Sequence, residues 1–203
     1  SWVTDAVSAD GWLVVASEAD GGCGVFLVSA DQPGVQLRTR QMIDARNMGA
    51  LQLDQVRLAD AARLGDNAAC AALELVLDRG RACLAAELLG LAEAAFAMTV
   101  DYLKTRVQFD APIGSFQALQ HRAARLYAQL QLARSSVMAA FEVLDRSTGS
   151  VRERRRLVSL AKWQASQLAQ HVGNEAIQMH GGIGVTDEYD LGLFLKRMRL
   201  AQN

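Results

Sequence analysis

The feature that most constrains this chain is the stretch Tyr102 to Gln117, where a long apolar helical pattern stops, the chain turns at Pro112, and a second long helical pattern begins. Proline cannot continue a helix, and Asp110 and Gly114 flank it with residues that tolerate turn geometry. Two long helices joined by so short a connection run antiparallel. Arg106 and Gln117 then share one corner of the fold, next to a helix N-terminus near Ser115, and a guanidinium beside a side-chain amide suits a phosphate or another planar anion. The alternative is that Arg106 caps helical carbonyls and Gln117 is ordinary surface.

The periodicity on either side predicts a helical bundle. Asp66 or Asn67 is a candidate N-cap for a short helix over Ala71 to Leu77, and Asp78 for the long helix that follows, from about Arg79 to Arg106. In that helix Leu84, Leu88, Leu91, Ala95, Met98 and Tyr102 recur every three or four residues and mark a buried stripe. Leu119, Ala123, Leu126, Leu130, Ala133, Val137, Ala140 and Leu144 do the same over about Phe116 to Leu144. After the polar loop Ser147 to Ser150, the run Arg152 to Arg156 opens a third helix with a stripe at Leu157, Ala161, Ala165, Leu168, Val172 and Ala176. Gly181, Gly182 and Gly184 end it, and a last short helix runs from Asp190 to Leu200. The basic run reads as a solvated helix end, since Glu153 interrupts it and no aromatic platform is interleaved.

Residues 1 to about 65 follow a different period. Trp12 to Ser17 and Cys23 to Ser29 are runs rich in β-branched and aromatic residues separated by Gly21-Gly22. After a second turn at Pro33-Gly34, Val35, Leu37 and Thr39 alternate with polar residues, as do Leu51, Leu53 and, past a bulge, Val56. The expectation is an antiparallel hairpin series with one wet face. Trp2 already lies inside a strand, and the strands are too few to close a barrel, so further strands are expected outside this segment. The fold class is therefore mainly α: an antiparallel four-helix-bundle-like domain over 66–203, preceded by an incomplete antiparallel β-domain over 1–65.

A net charge of −1 gives no reason to expect nucleic acid or an anionic membrane as partner. Apolar runs look too interrupted to span a membrane, and no leader pattern opens the chain. Cys23, Cys70 and Cys83 follow no metal-ligand spacing and read as reduced and structural, in a reducing compartment. Arginine outnumbers lysine 18 to 3, as in GC-rich bacterial coding, so the expected location is the bacterial cytoplasm. A carboxylate-bridged di-metal centre needs Glu-x-x-His pairs, and none of His121, His171 or His180 has a glutamate three residues before it.

Arg106-x-Gln108-Phe109-x-x-Pro112-Ile113-x-x-Phe116-Gln117 resembles the signature of the acyl-CoA dehydrogenases, flavoenzymes that desaturate acyl-CoA thioesters between the α and β carbons. Gln178-x-x-Gly181-Gly182-x-Gly184, followed by Glu188-Tyr189, resembles a second motif of that family, and Trp2-Val3-Thr4 its Trp-Ile-Thr segment. The resemblance covers nearly the whole chain in the family's order and implies FAD as cofactor. It implies that Trp2 packs on the flavin ring and Thr4 hydrogen-bonds its edge near N5. Arg106, Gln108, Phe109 and Gln117 would reach the FAD pyrophosphate and its surroundings across a subunit boundary, and Gln178, Gly181 and Gly182 would contact FAD bound largely by a neighbour. A homo- or hetero-oligomer, dimer or tetramer, follows from that. Asp78-x-x-Arg81 resembles the family's Asp-x-x-Arg, where the CoA pantetheine and nucleotide lie, and the family suggests an electron-transfer flavoprotein as acceptor.

The reaction needs a carboxylate to take the α-proton, and two departures bear on it. In most of the family that glutamate follows the last short helix, and by the resemblance it is expected just beyond Asn203, where this sequence stops. In the branched- and long-chain groups the base sits where this chain has Gly80, which cannot serve. Glu87, two turns on and on the same helical face, is the remaining weak candidate for a catalytic role, or else the partner of an arginine. Asp110 stands where the family usually has glycine. The chain therefore reads as the C-terminal portion of a dehydrogenase or, alternatively, of a non-catalytic subunit completing the FAD site of a heteromeric one.

Overall fold

The structure is a computed structural model that describes residues 2–19, 21–65, 68–146 and 149–202. The expected cap at Asp66 or Asn67, and Ser147 and Thr148 of the polar loop, lie outside the described residues. Contacts divide the chain into two compact units, Ser1–Leu77 and Asp78–Asn203.

In the first unit β1 (Trp2–Thr4), β2 (Gly11–Ser17), β3 (Cys23–Ser29), β4 (Val35–Gln41) and β5 (Asn47–Leu53) form two antiparallel sheets. Among the described residues β2 pairs only with β3, from Gly11↔Ser29 to Ser17↔Cys23, while β1 lies against β5 in a three-stranded sheet ordered β1-β5-β4. The strands are thus not a simple hairpin series, and β5 begins at Asn47 and ends before Val56. Trp12 and Val28, directly opposite one another, are buried, whereas Leu13, Val15 and Leu27 on the other face of the pair are exposed. Cys23 is disulfide-bonded and Cys83 is free and exposed, which corrects the reading of three reduced cysteines.

The second unit is a four-helix bundle with up-down-up-down order. The long helix α1 (Ala68–Thr105) continues unbroken through Asp78 and Gly80, where the sequence predicts a helix junction. Asp78 is not a cap, because its carboxylate is fully buried and accepts from Arg81 Nη1 at 3.0 Å and Arg154 Nε at 2.9 Å. Being satisfied from its own helix and from a neighbouring one, it has no need to bond the backbone as a cap does. α2 (Gln117–Asp145) and α3 (Val151–His180) follow, then α4 (Leu191–Ala201). Ser150 caps α3 by accepting from the Glu153 amide at 3.0 Å, so the arginine run does open a helix.

Side-chain ties set the helix directions. Along α2, Arg122, Gln129 and Ser136 meet Glu175, His171 and Gln164 of α3 in reverse order, so these helices are antiparallel. Glu93 and Phe96 of α1 meet Arg134 and Tyr127 of α2, also in reverse. Asp78 and Tyr102 of α1 meet Arg154 and His180 of α3 in the same order, which makes α1 and α3 parallel. The centre is filled by small and medium apolar residues, among them Ala82, Ala85, Leu88 and Ala92 of α1, Leu126, Leu130 and Ala140 of α2, and Val158, Ala161, Ala165 and Val172 of α3. Alanine-rich stripes allow close helix approach, and knob-like leucines and valines fill the gaps between them. Ala72–Thr105 is long and apolar enough to cross a membrane by length and composition, a longer apolar run than the sequence reading allows, yet its stripe belongs to the bundle's core.

Candidate functional site

The connection from α1 to α2 is more structured than a bare turn. β6 (Val107–Gln108) pairs with β7 (Ala111–Pro112) in a miniature hairpin whose two loop residues, Phe109 (φ 55°) and Asp110 (φ 60°), are both left-handed. Two positive φ values in a two-residue loop are the signature of a type I′ turn, normally built with Asn-Gly. A bulky phenylalanine in that conformation is strained, and such strain collects at functional surfaces. Here Phe109 is 88% exposed, its ring edge-on to Phe116 at 6.2 Å. The glycine position of the resembling motif is thus one where glycine would carry no steric cost.

Pro112 is followed by a 3₁₀ turn, Ile113–Ser115, that closes the hairpin onto the end of α1. The Ile113 amide donates to the Arg106 carbonyl at 2.8 Å, and Gly114 packs so tightly that a Cβ there would lie 2.8 Å from the Leu103 carbonyl oxygen. Ser115 donates its hydroxyl to the Pro112 carbonyl at 2.7 Å, so it does not cap α2, whose first turn has no side-chain cap. The positive end of α2 is thereby left open beside Gln117. Arg106 and Gln117 are exposed, and among the described residues neither side chain has a hydrogen-bond partner. Gln108 is exposed too, but its amide donates to the Val107 carbonyl at 2.9 Å.

α3 stops at Gly181, whose φ of 65° lets its amide close onto the Gln178 and Ile177 carbonyls. Gln178, Gly181 and Gly182 are all exposed, and neither glycine has an atom within 4 Å of where a Cβ would stand. This turn and the Arg106 corner belong to the same end of the bundle. Tyr102, one turn before Arg106, stacks on His180 with ring centroids 4.4 Å apart and planes 25° from parallel, and Tyr189 packs on the same imidazole at 4.9 Å. The sequence reading assigns Tyr102 to the buried stripe and takes no notice of His180 or Tyr189 as ring partners. A ring residue at the last position of each converging stripe is the signal that would have found them.

The other predicted groups lie elsewhere. Arg81 is half exposed beside the buried Asp78, in the N-terminal half of α1 and so well away from Arg106 just past its C-terminus. Glu87 is ion-paired with Arg197 of α4 at 2.5 Å, the arginine-partner alternative of the sequence reading. In the first unit Trp2 and Thr4 are exposed, and their cross-strand neighbours place both on the face that carries Arg38 and Arg40. The Arg40 guanidinium lies 5.0 Å from the Trp2 ring centroid and covers one face of the indole.

A helical bundle whose glycine turn and arginine hairpin meet at one end, following a small antiparallel β-unit in the sequence, is the architecture of the C-terminal half of an acyl-CoA dehydrogenase. The model of the family described as acyl-CoA dehydrogenase, C-terminal domain, matches residues 69–202, and the chain belongs to that family. It is 32% identical to a probable acyl-CoA dehydrogenase, YngJ, of Bacillus subtilis, over 99% of this chain and 54% of that protein. Among solved structures, the ChsE4-ChsE5 complex from Mycobacterium tuberculosis superposes with a TM-score of 0.86 at 27% identity, covering 100% of this chain and 54% of that one. The Tcur3481-Tcur3483 steroid ACAD G363A variant gives 0.82 at 33% identity, with 97% and 51% covered. The chain thus spans about half the length of the relatives it matches.

Proposed function

We propose that this chain is the C-terminal portion of a flavoenzyme that desaturates an acyl-CoA thioester between its α and β carbons. The observation that carries the reading is the joining, through Tyr102 and His180, of an unpaired guanidinium and the glycine turn at one end of the bundle. Arg106 would bind the FAD pyrophosphate, as an arginine with no carboxylate partner can, with the uncapped N-terminus of α2 adding positive potential. Gln117 and Gln178 offer amides, and the open space over Gly181 and Gly182 lets a dinucleotide approach the backbone. Separately, in the first unit, Trp2 would offer its indole as a flavin platform and Thr4 a hydroxyl, whereas the Arg106 corner would reach FAD bound largely by a neighbouring subunit. When bound, FAD supplies the hydride acceptor of the reaction. These donors fit a dinucleotide of that kind. In the neighbouring architecture, Asp78 holds Arg81 at a position suited to the CoA nucleotide, and the expected partners are acyl-CoA, a second subunit and an electron-transfer flavoprotein.

One observation favours a second reading, a subunit that completes the FAD site of a heteromeric dehydrogenase without supplying the base. Gly80 carries no side chain where a base would sit, and the Glu87 carboxylate is held by Arg197. Two of the structures this chain resembles, the ChsE4-ChsE5 complex and the Tcur3481-Tcur3483 protein, carry two gene products in their names.

An anaerobic visible spectrum of the full-length protein, taken before and after a panel of acyl-CoA thioesters, tests both. A flavin band that bleaches with one thioester supports the dehydrogenase. A band indifferent to all of them until a second subunit is added supports the partner reading, and the absence of flavin refutes both.

A further inference from the structure

Among the described residues two buried side-chain polar atoms lack a hydrogen-bond partner, Trp12 Nε1 and His180 Nε2. His180 is only 4% exposed. Its Nδ1 lies 2.8 Å from the Ala176 carbonyl oxygen, which can only accept, so Nδ1 carries the proton and Nε2 is a bare lone pair. Leaving that lone pair without a protein partner costs free energy, and an apolar ring of the same size would avoid the cost. What the imidazole gains is a fixed direction: its Nδ1–H bond pins the ring over the last turn of α3, with Tyr102 stacked on one face and Tyr189 tilted against its side.

The two tyrosines come from different parts of the site. Tyr102 belongs to the final turn of α1, and its carbonyl accepts the Arg106 amide at 2.8 Å. Tyr189 lies just past the glycine turn, with its ring 4.9 Å from the imidazole and 6.4 Å from Tyr102. His180 itself sits two residues after Gln178 and immediately before Gly181. The turn needs such an anchor. Gly181 to Val185 is a 3₁₀ segment without a side-chain cap, its glycines have no side chains to pack, and Gly184 alone among its residues is buried.

We propose that His180 is a positioning residue that ties the Gly181–Val185 turn to the last turn of α1, so that the Gln178 and glycine groups and the Arg106 corner act as one binding surface for a dinucleotide. The dinucleotide part rests on the functional reading above, whereas the tie itself does not. Two arms separate them.

The first arm is hydrogen exchange on the flavin-free full-length protein, comparing native with His180→Ala, Tyr102→Leu and His180→Phe. His180→Ala and Tyr102→Leu are expected to speed exchange of amides 181–185 and 106–113 at least tenfold, with amides 130–140 and 161–172 in the α2–α3 core changed less than twofold. His180→Phe, which keeps a ring in contact with both tyrosines, is expected to restore most of that protection. Unchanged exchange in the turn overturns the tie, and so does faster exchange spread equally into the α2–α3 core, which marks general destabilisation. The second arm measures FAD affinity of Arg106→Ala, Gln178→Ala and the double variant, in the native and His180→Ala backgrounds. The losses are expected to be non-additive by fivefold or more in the native background and additive without His180. Additivity in both overturns the single-surface part. Failure of FAD to bind the native protein overturns the functional reading and leaves the exchange arm to decide the tie.

Discussion

Replacing Asp78 by asparagine tests whether this carboxylate acts first as a strut of the bundle. Its side chain is 0% exposed and is held by two guanidiniums, Arg81 on its own helix and Arg154 on α3, whose side chains are 45% and 20% exposed. The two pairs are not equivalent. Arg81 can turn its charge into water, so that pair is comparable to a surface ion pair, worth about 0.2–1 kcal/mol. Arg154 is mostly enclosed, and removing its partner leaves a charge short of solvation, at a cost of about 2–4 kcal/mol. Asp78→Asn should therefore destabilise by about 3 kcal/mol, with Arg154→Met costing more than Arg81→Met. With a urea dependence of about 3 kcal/mol per molar, the unfolding midpoint would fall by about 1 M. In a double-mutant cycle the Asp78–Arg154 pair should show a coupling of about 2 kcal/mol. On the proposed function, half-exposed Arg81 would be the group that meets a CoA phosphate, so Arg81→Met should then raise KM for an acyl-CoA while moving the midpoint by less than 0.3 M. A midpoint shift below 0.2 M for Asp78→Asn, or a larger stability loss for Arg81→Met than for Arg154→Met, would refute this division of roles.

Three further outcomes are expected. Asp110→Gly relieves a left-handed φ of 60° and should stabilise by about 0.5–1 kcal/mol; because it also removes a negative charge near Arg106, FAD should bind several-fold more tightly in a fluorescence titration. Gly114→Ala places a Cβ 2.8 Å from the Leu103 carbonyl oxygen, a backbone atom that cannot yield cheaply, and should cost about 1–3 kcal/mol in thermal or urea melts; a neutral result would mean that the hairpin can lift off α1. Burial holds the His180 pKa below the ordinary imidazole value, partly offset by its bond to the Ala176 carbonyl, and the titratable side chains facing it are Tyr102 and Tyr189. The unfolded chain then takes up this proton first on acidification, so the stability present above about pH 6.5 is lost as the pH falls through the lowered folded value. The stability gap between His180→Phe and the native protein should shift in favour of the variant between pH 7 and pH 5.

The helices were legible because each long stripe repeats its signal many times. Leu88, Leu126, Ala133, Ala140, Ala165 and Val172 were placed inside by periodicity alone and are buried. A single residue gives no such redundancy, and there the reading failed. Asp78 has the composition of a cap, and only the arrival of Arg154 from 76 residues away turns it into a buried strut; the same contact takes one arginine out of a run that reads as solvent-facing. The strand order β1-β5-β4 is likewise a long-range pairing, invisible to an alternation that fixes faces but not neighbours.

The site divides along the same line. The residues that would touch a ligand were visible through their motifs, because Arg106, Gln117, Gln178 and the glycines must show themselves at a surface. What holds them together was not, since the Tyr102, His180 and Tyr189 rings come from three places in the sequence and each, taken singly, is an ordinary core residue. A local motif encodes what a ligand touches, whereas the register between two motifs is encoded in whatever packs behind both. That register here runs through one imidazole, so the variant that separates binding groups from their support is His180→Ala in the presence of intact Arg106 and Gln178.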